Sequence, residues 1–238
     1  MKFIGHLDIM RYFQKAIRRA EIDIAYSEGY SPHQIMSFAA PLGVGLESDG
    51  EYFDIEVHST KSSTESIENL NREMVDGMEI IEFKCLPENA KTAMSIVAAA
   101  DYKVILKDMN SYPLNLAQWE EKLSEFFVKP SEVLITKKTK KSEKIIDLKK
   151  LVYDFRIEKE NPDIIFYLKV CTGSMDNIKP ELVLEAFFDY LELPYVESDF
   201  HVRRLEAYMN KEEIEQTDVQ SILNNLVPLG SAGEDIES

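Results

Sequence analysis

The sequence predicts an α+β protein made of two ferredoxin-like units, each a β-α-β-β-α-β succession with an antiparallel sheet. Three observations carry that prediction. Strand and helix patterning follow one another in that order twice along the chain. The strand segments alternate apolar and polar residues, as half-buried antiparallel sheets do. The length, 238 residues, suits one large core or two of about 100 residues each.

The first unit is read as residues 1–90. After a strand remnant, Met10, Phe13, Ile17 and Ala20 recur at helical spacing and predict a helix from about Leu7 to Ala20 with those residues buried. Residues 34–46 read as an extended segment punctuated by Pro41, Gly43 and Gly45, and Ser48-Asp49-Gly50 as a tight turn. Tyr52, Asp54 and Glu56 alternate with Phe53, Ile55 and Val57, which predicts a strand. A second helix, about Thr64 to Val75, turns Ile67, Leu70 and Met74 inward and stops at Asp76-Gly77. Residues 78–86 read as the next strand, ended by Pro87, and residues 88–95 as the link between units.

The second unit is read as residues 96–209. It opens with a strand over 98–106 and a helix over 116–127 that turns Trp119, Leu123, Phe126 and Phe127 to the core. Residues 133–136 and 144–148 bracket a lysine-rich hairpin tip. Strands follow over 153–157 and 164–171, then a helix over 180–191 with proline in its first turn, then a closing strand over 200–208. From Asn210 the chain turns acidic. Residues 206–238 carry one lysine against eight acids, so residues 210–238 read as a helix and a frayed acidic tail.

A hydrophobic fraction of 45% with 29% charged residues belongs to a globular soluble protein. The net charge of −16 excludes non-specific polyanion binding by the whole surface, so any nucleic-acid contact must use a local basic patch. Cys85 and Cys171 lie far apart in sequence and read as reduced core residues. They cannot supply the cysteine triplet of a four-iron cluster, and no Cys/His set has zinc spacing. No cofactor and no metal is expected. The sequence holds no G-x-S-x-G or H-E-x-x-H motif and no complete phosphate loop. It also lacks a signal-peptide apolar region and any run of about 18 apolar residues, so the expected location is the cytoplasm with no membrane contact.

Four features carry candidate chemistry. Arg11, Lys15, Arg18 and Arg19 fall together on one side of the first helix at about 100° per residue. The loop that follows holds Tyr26, Tyr30 and His33. A cationic helix face beside an aromatic loop suits RNA; the same charges equally form a solvated helix face. Lys137, Lys138, Lys140, Lys141 and Lys144, with Lys149 and Lys150 behind, oppose only Glu143 and Asp147, a local charge of +5. Such a tip can clamp a phosphate backbone, or it can protect a sheet edge. His6 and Asp8 stand at a helix start, where His6 can act as a base; the alternative is that Asp8 caps the helix and His6 packs. Gly173, Ser174, Asn177, Lys179, Pro180 and Glu181 form a polar turn that can cradle an anion or simply join strand to helix.

The strings Gly5-His6-Leu7-Asp8, Met10-Arg11, Ala16-Ile17-Arg18-Arg19-Ala20, Tyr26 to Pro32, Pro41-Leu42-Gly43 and Glu51-Tyr52 resemble the bacterial radical SAM-linked protein family. The likeness continues through Lys140-Lys141 with Asp147, and Asn177 with Lys179-Pro180-Glu181. Members are domains of unknown function, fused to a radical SAM enzyme or encoded beside one, often near ribonuclease and ribosomal-protein genes. The resemblance therefore implies a radical SAM enzyme as partner and RNA or the ribosome as context. Relatives usually carry Ser where this chain has Gly5, and they have a further strand upstream, so the first unit reads as one that can lack its N-terminal strand. The leading expectation is a non-catalytic accessory protein that binds or presents an RNA or ribosomal substrate to a separate radical SAM enzyme. The alternatives are a metal-independent RNA-processing enzyme with His6 as general base, and a protein-only adaptor.

Overall fold

A computed structural model of the chain describes residues 3–107, 111–138, 143–173, 177–212 and 218–237. The fold class is α+β. In chain order the elements are α1 (His6–Arg19), β1 (Asp23–Ile24), β2 (Met36–Phe38), β3 (Glu47–Ser48), β4 (Phe53–Ile55), β5 (Val57–Ser59), α2 (Ser63–Asn71), β6 (Lys84–Cys85) and α3 (Ala93–Ile96). There follow β7 (Val97–Leu106), α4 (Leu116–Leu123), β8 (Leu134–Lys138), β9 (Glu143–Asp147), β10 (Val152–Glu160), β11 (Asp163–Cys171), α5 (Pro180–Tyr190), β12 (Phe200–Asn210), α6 (Val219–Asn225), β13 (Leu226–Pro228) and β14 (Glu234–Asp235). They divide into two compact units. One holds residues up to 47, 51–97 and those from 227 onward, and the other holds residues 48–50 and 98–226.

In the first unit α1 buries Ala16 and Ile17 completely. Ile17, Ala20, Ile24 and Leu70 form the core, with Met36, Phe53 and Ile55 packed against it. The helix stops on Glu21, whose φ of +56° lies in the left-handed region. The Glu21 N–H donates to the Arg18 carbonyl at 3.3 Å and the Ile22 N–H to the Ile17 carbonyl at 3.2 Å, the paired bonds of a Schellman end. β1 pairs with β5, β2 with β4 and β6 with β14, all antiparallel. The expected continuous ferredoxin-like sheet is absent from the described residues of this unit, which instead holds these three two-stranded ladders. The strand expected over 52–57 changes partner at Glu56, so it becomes β4 on β2 and β5 on β1. The strand expected over 78–86 shrinks to β6. The side-chain amide of Asn71 takes the ladder's place: it donates to the Ile80 carbonyl at 2.8 Å and accepts from the Ile80 N–H at 2.7 Å.

Within the acidic end, residues 226–237 hold β13 and β14 where a frayed tail was expected. The Ile236 N–H donates to Ser63 Oγ at 2.8 Å, and the Ser63 N–H returns a bond to the Ile236 carbonyl at 3.0 Å. Gly233 lies so close to β6 that a Cβ there would stand 2.8 Å from the Cys85 carbonyl oxygen. Backbone pairing, which is indifferent to side-chain polarity, holds a segment whose composition reads as disordered.

In the second unit, β7, α4, β8, β9, β10, β11, α5 and β12 lie within a few residues of where the patterning puts them. The large sheet runs β10-β11-β7-β12, and both β10 on β11 and β11 on β7 are antiparallel. Asn115 and Gln118 close a reciprocal capping box at the start of α4. The helix expected to continue to Phe127 widens into a π-helical turn, Ser124–Val128, in which the consecutive Phe126 and Phe127 are both buried. Trp119, Phe166, Phe187 and Phe188 are fully buried, and their rings meet largely edge to face, as with Trp119 and Phe166 at 5.5 Å and 87°.

This packing makes two predictions. α5 ends like α1, with Glu192 at φ +56° in the left-handed position that glycine occupies without cost. Glu192→Gly is therefore expected to raise unfolding stability by about 0.5–1 kcal/mol, read by urea titration. In the same unit Glu181 Oε2 and the Tyr195 hydroxyl are buried with no hydrogen-bond partner. Burial raises the pKa of Glu181 above its ordinary 4.5 and raises that of Tyr195 as well. Between the unfolded and folded values of Glu181 the folded state binds more protons, so this group's contribution to stability falls as pH rises through that window. Glu181→Gln is expected to stabilise the protein at neutral pH, with the gain disappearing below the ordinary carboxylate range. A gain that is independent of pH would refute the assignment.

Candidate nucleic-acid interface

The α1 stripe that packs into the core fixes which side chains face out. Ile17 is fully buried, so Arg18, one residue or about 100° further round, is exposed, and Arg11 and Lys15 lie on the same side. The four cations are not equivalent. Arg19 donates through Nε to a Glu73 carboxylate oxygen at 2.6 Å and through a terminal nitrogen to the Glu73 carbonyl at 3.3 Å, which ties it to the segment after α2. Arg11 pairs with Asp8 at 3.3 Å, with its side chain 68% exposed. Lys15 and Arg18 are exposed and make no ion pair among the described residues. An exposed pair such as Arg11–Asp8 contributes little, and a phosphate can displace it.

The aromatic loop is a short hairpin bound to this helix. Tyr26 and Gln34 form an antiparallel bridge, and the Ile35 N–H donates to the Ala25 carbonyl at 2.9 Å. Above them the Ser27 N–H donates to the His33 carbonyl at 2.8 Å, the His33 N–H donates to Ser27 Oγ at 3.1 Å, and Ser27 Oγ and His33 Nδ1 are 2.8 Å apart. Gln34, only 6% exposed, joins hairpin to helix: its side-chain amide donates to the Gln14 carbonyl at 3.1 Å and to the Tyr26 hydroxyl at 3.5 Å. Its Oε1 is buried without a partner. Gly29, at φ +108°, turns the tip. Tyr30 stands next, 109% exposed, and Tyr26 is half exposed. The structure thus joins the Tyr30 hairpin to α1, and His33 serves the neck of that hairpin.

The other sequence candidates separate from this site in different ways. The His6 ring meets Phe38 edge-on at 5.2 Å, and the Asp8 carboxylate faces Arg11 and makes no capping bond, so the two candidate catalytic groups are engaged separately. In the lysine hairpin, β8 and β9 pair from Leu134 with Asp147 to Lys138 with Glu143. Lys137 donates to the Asn177 carbonyl at 2.6 Å, which brings the hairpin to the polar turn before α5. Lys149 donates to the Phe127 carbonyl at 2.8 Å, and its ammonium lies 4.6 Å from the centre of the Phe127 ring. Lys140 and Lys141 lie outside the described residues. Lys137 and Lys149 therefore spend their charge on packing, which lowers what this hairpin offers a phosphate.

Sequence reasoning missed Gln34 and Glu73, whose partners lie 20 and 54 residues away, and Ser27, whose partner His33 lies across the hairpin neck. It also missed a polar cluster on the large sheet. There the Arg156 guanidinium lies 4.5 Å from the Tyr167 ring centre, while Lys103 and the Tyr167 hydroxyl both donate to Glu160 at 2.6 Å. The Lys103 bond lowers the Glu160 pKa, so Glu160 stays ionised against Lys103. The outward phase of β7, β10 and β11 carried that signal. Among the described residues no group of three or more His, Cys, Asp or Glu side chains could hold a metal ion, and no helix is long and apolar enough to cross a membrane.

Comparison with known proteins adds a family and little else. No curated protein matches. A chain in the crystal structure of a Cbf5-Nop10-Gar1 complex is similar at 10% identity and a TM-score of 0.46, over 98% of this chain and 59% of that one. The family described as "Uncharacterized protein conserved in bacteria (DUF2344)" matches residues 1–180. The chain belongs to that family.

Proposed function

We propose that this chain is a non-catalytic accessory protein that binds RNA through the exposed face of α1 and the hairpin clamped to it, and presents that RNA to a separate radical SAM enzyme. One observation carries the RNA reading: Lys15 and Arg18 stand exposed and without ion pairs among the described residues, in a protein of net charge −16, on the helix to which Gln34 bonds an aromatic hairpin. Charges kept free of the surrounding acids are available to a polyanion. The radical SAM partnership rests on the resemblance carried by Gly5 to Asp8, Ala16 to Ala20 and Tyr26 to Pro32. The strand order β10-β11-β7-β12, with α4 and α5 in the same unit, supports reading that unit as ferredoxin-like. A role on RNA or the ribosome carries a cytoplasmic location with it.

The test replaces Arg11, Lys15 and Arg18 together with Glu. RNA affinity is expected to fall sharply at low salt with the circular dichroism unchanged. The slope of log affinity against log salt is expected to flatten by roughly 0.7–0.9 for each phosphate that the variant no longer neutralises. Undiminished affinity in the folded variant would return α1 to an ordinary solvated face. RNA cleavage that disappears on His6→Ala would favour the enzymatic reading instead.

A further inference from the structure

The hairpin of residues 26–34 is built to hold one aromatic ring in solvent. Its neck is closed by the Tyr26–Gln34 bridge and by the bonds between Ser27 and His33. Gln34 then fixes the neck to the Gln14 carbonyl, one residue before Lys15. At the tip Gly29 takes a left-handed turn with no atom within 4 Å of where a Cβ would stand, and Tyr30 follows with its side chain wholly in solvent. A large aromatic surface left exposed gains nothing for the fold; it gains free energy only by meeting another apolar face.

We infer that this site takes single-stranded RNA, with Tyr30 stacking on an unpaired base while Arg11, Lys15 and Arg18 follow the phosphates. The inference rests on the RNA reading above and narrows it. A duplex hides its base faces inside the stack, so an outward ring finds no partner along it, whereas every unpaired base offers a π-face. The cations suit a short segment: Arg11 to Arg18 spans about 10 Å of helix at 1.5 Å per residue. Charge selects the partner class. The exposed ring lies on a loop bonded to the Gln14 carbonyl of a helix whose free charged groups, Lys15 and Arg18, are cationic, which matches a phosphate backbone. The closed neck positions the ring in advance and so reduces the ordering cost of binding.

The experiment measures fluorescence anisotropy at low salt. The probe is a labelled single-stranded RNA of mixed sequence, used alone and annealed to its complement. Full-length wild type is compared with Tyr30→Ala, Tyr30→Phe and the double variant Lys15→Glu/Arg18→Glu. The single strand is expected to bind roughly tenfold or more tighter than the duplex. Tyr30→Ala is expected to lose roughly tenfold on the single strand and little on the duplex, Tyr30→Phe to retain affinity, and the double variant to lose both. Tyr30 supports no packing, so these variants are expected to keep the wild-type circular dichroism. Equal affinity for the two probes, or unchanged single-strand affinity in Tyr30→Ala, overturns the single-strand assignment even while the charge variant still loses binding. Binding of neither probe by wild type, or unchanged binding in the charge variant, overturns the RNA reading itself. Binding instead of an acidic protein that depends on Tyr30, with neither RNA bound, overturns both in favour of a protein adaptor.

Discussion

Burial of Ile17 beneath α1 sets the rotation of that helix, and everything proposed for the surface depends on it. A buried isoleucine contributes about 1.5–3 kcal/mol, and Ala16 beside it lets the helix sit close against its neighbours. Once Ile17 and Ala20 face Ile24 and Leu70, Arg11, Lys15 and Arg18 have only the outward side left to them. Arg18, in the last turn, gains from the helix dipole, but the cations oppose one another. Like charges three or four residues apart on a helix cost a few tenths of a kcal/mol each. The apolar side of α1 offsets that cost, so the helix carries a core and a charged surface at once, with Arg19 diverted into the Glu73 pair that braces the segment after α2.

Gln34 converts a loop into a feature of the helix. A buried amide with one hydrogen-bonding arm satisfied and its Oε1 orphaned costs stability at that oxygen, in exchange for a fixed hairpin position. Ser27 and His33 tighten the same neck from above. The contrast with the lysine hairpin is physical. There the composition is more basic, but Lys137 and Lys149 bond backbone carbonyls, so density of positive residues is a poor guide to available charge.

Legibility in the sequence followed the range of the interactions. The 3.6-residue period of Met10, Phe13, Ile17 and Ala20 was enough to place α1 and its outward cations, because a helix determines its own faces. The second unit was readable for a like reason: β7, β10, β11 and β12 are nine to eleven residues long, long enough for their patterning to stand out. The first unit was less so. Its strands are two or three residues long, and pairing such as β14 on β6 is set by a partner far away, while at Ile80 a side-chain amide, Asn71, stands in for a ladder. The ends of α1 and α5 were read within a residue, at Ala20 and Leu191, although Glu21 and Glu192 rather than glycine take the left-handed stop. Gln34 gave no signal at all, since its meaning depends on a carbonyl twenty residues earlier.

The most direct test of the α1 surface is lysine footprinting, in which the acylation rate of each lysine amine is followed by mass spectrometry with and without saturating single-stranded RNA. Lys15 is exposed and free of ion pairs among the described residues, whereas Lys103 is held by Glu160 on the large sheet and serves as the internal reference. RNA is expected to slow acylation of Lys15 several-fold and leave Lys103 unchanged. An unchanged rate at Lys15, with protection confined to the lysines of the 137–150 segment, would contradict the assignment and move the interface to the second unit.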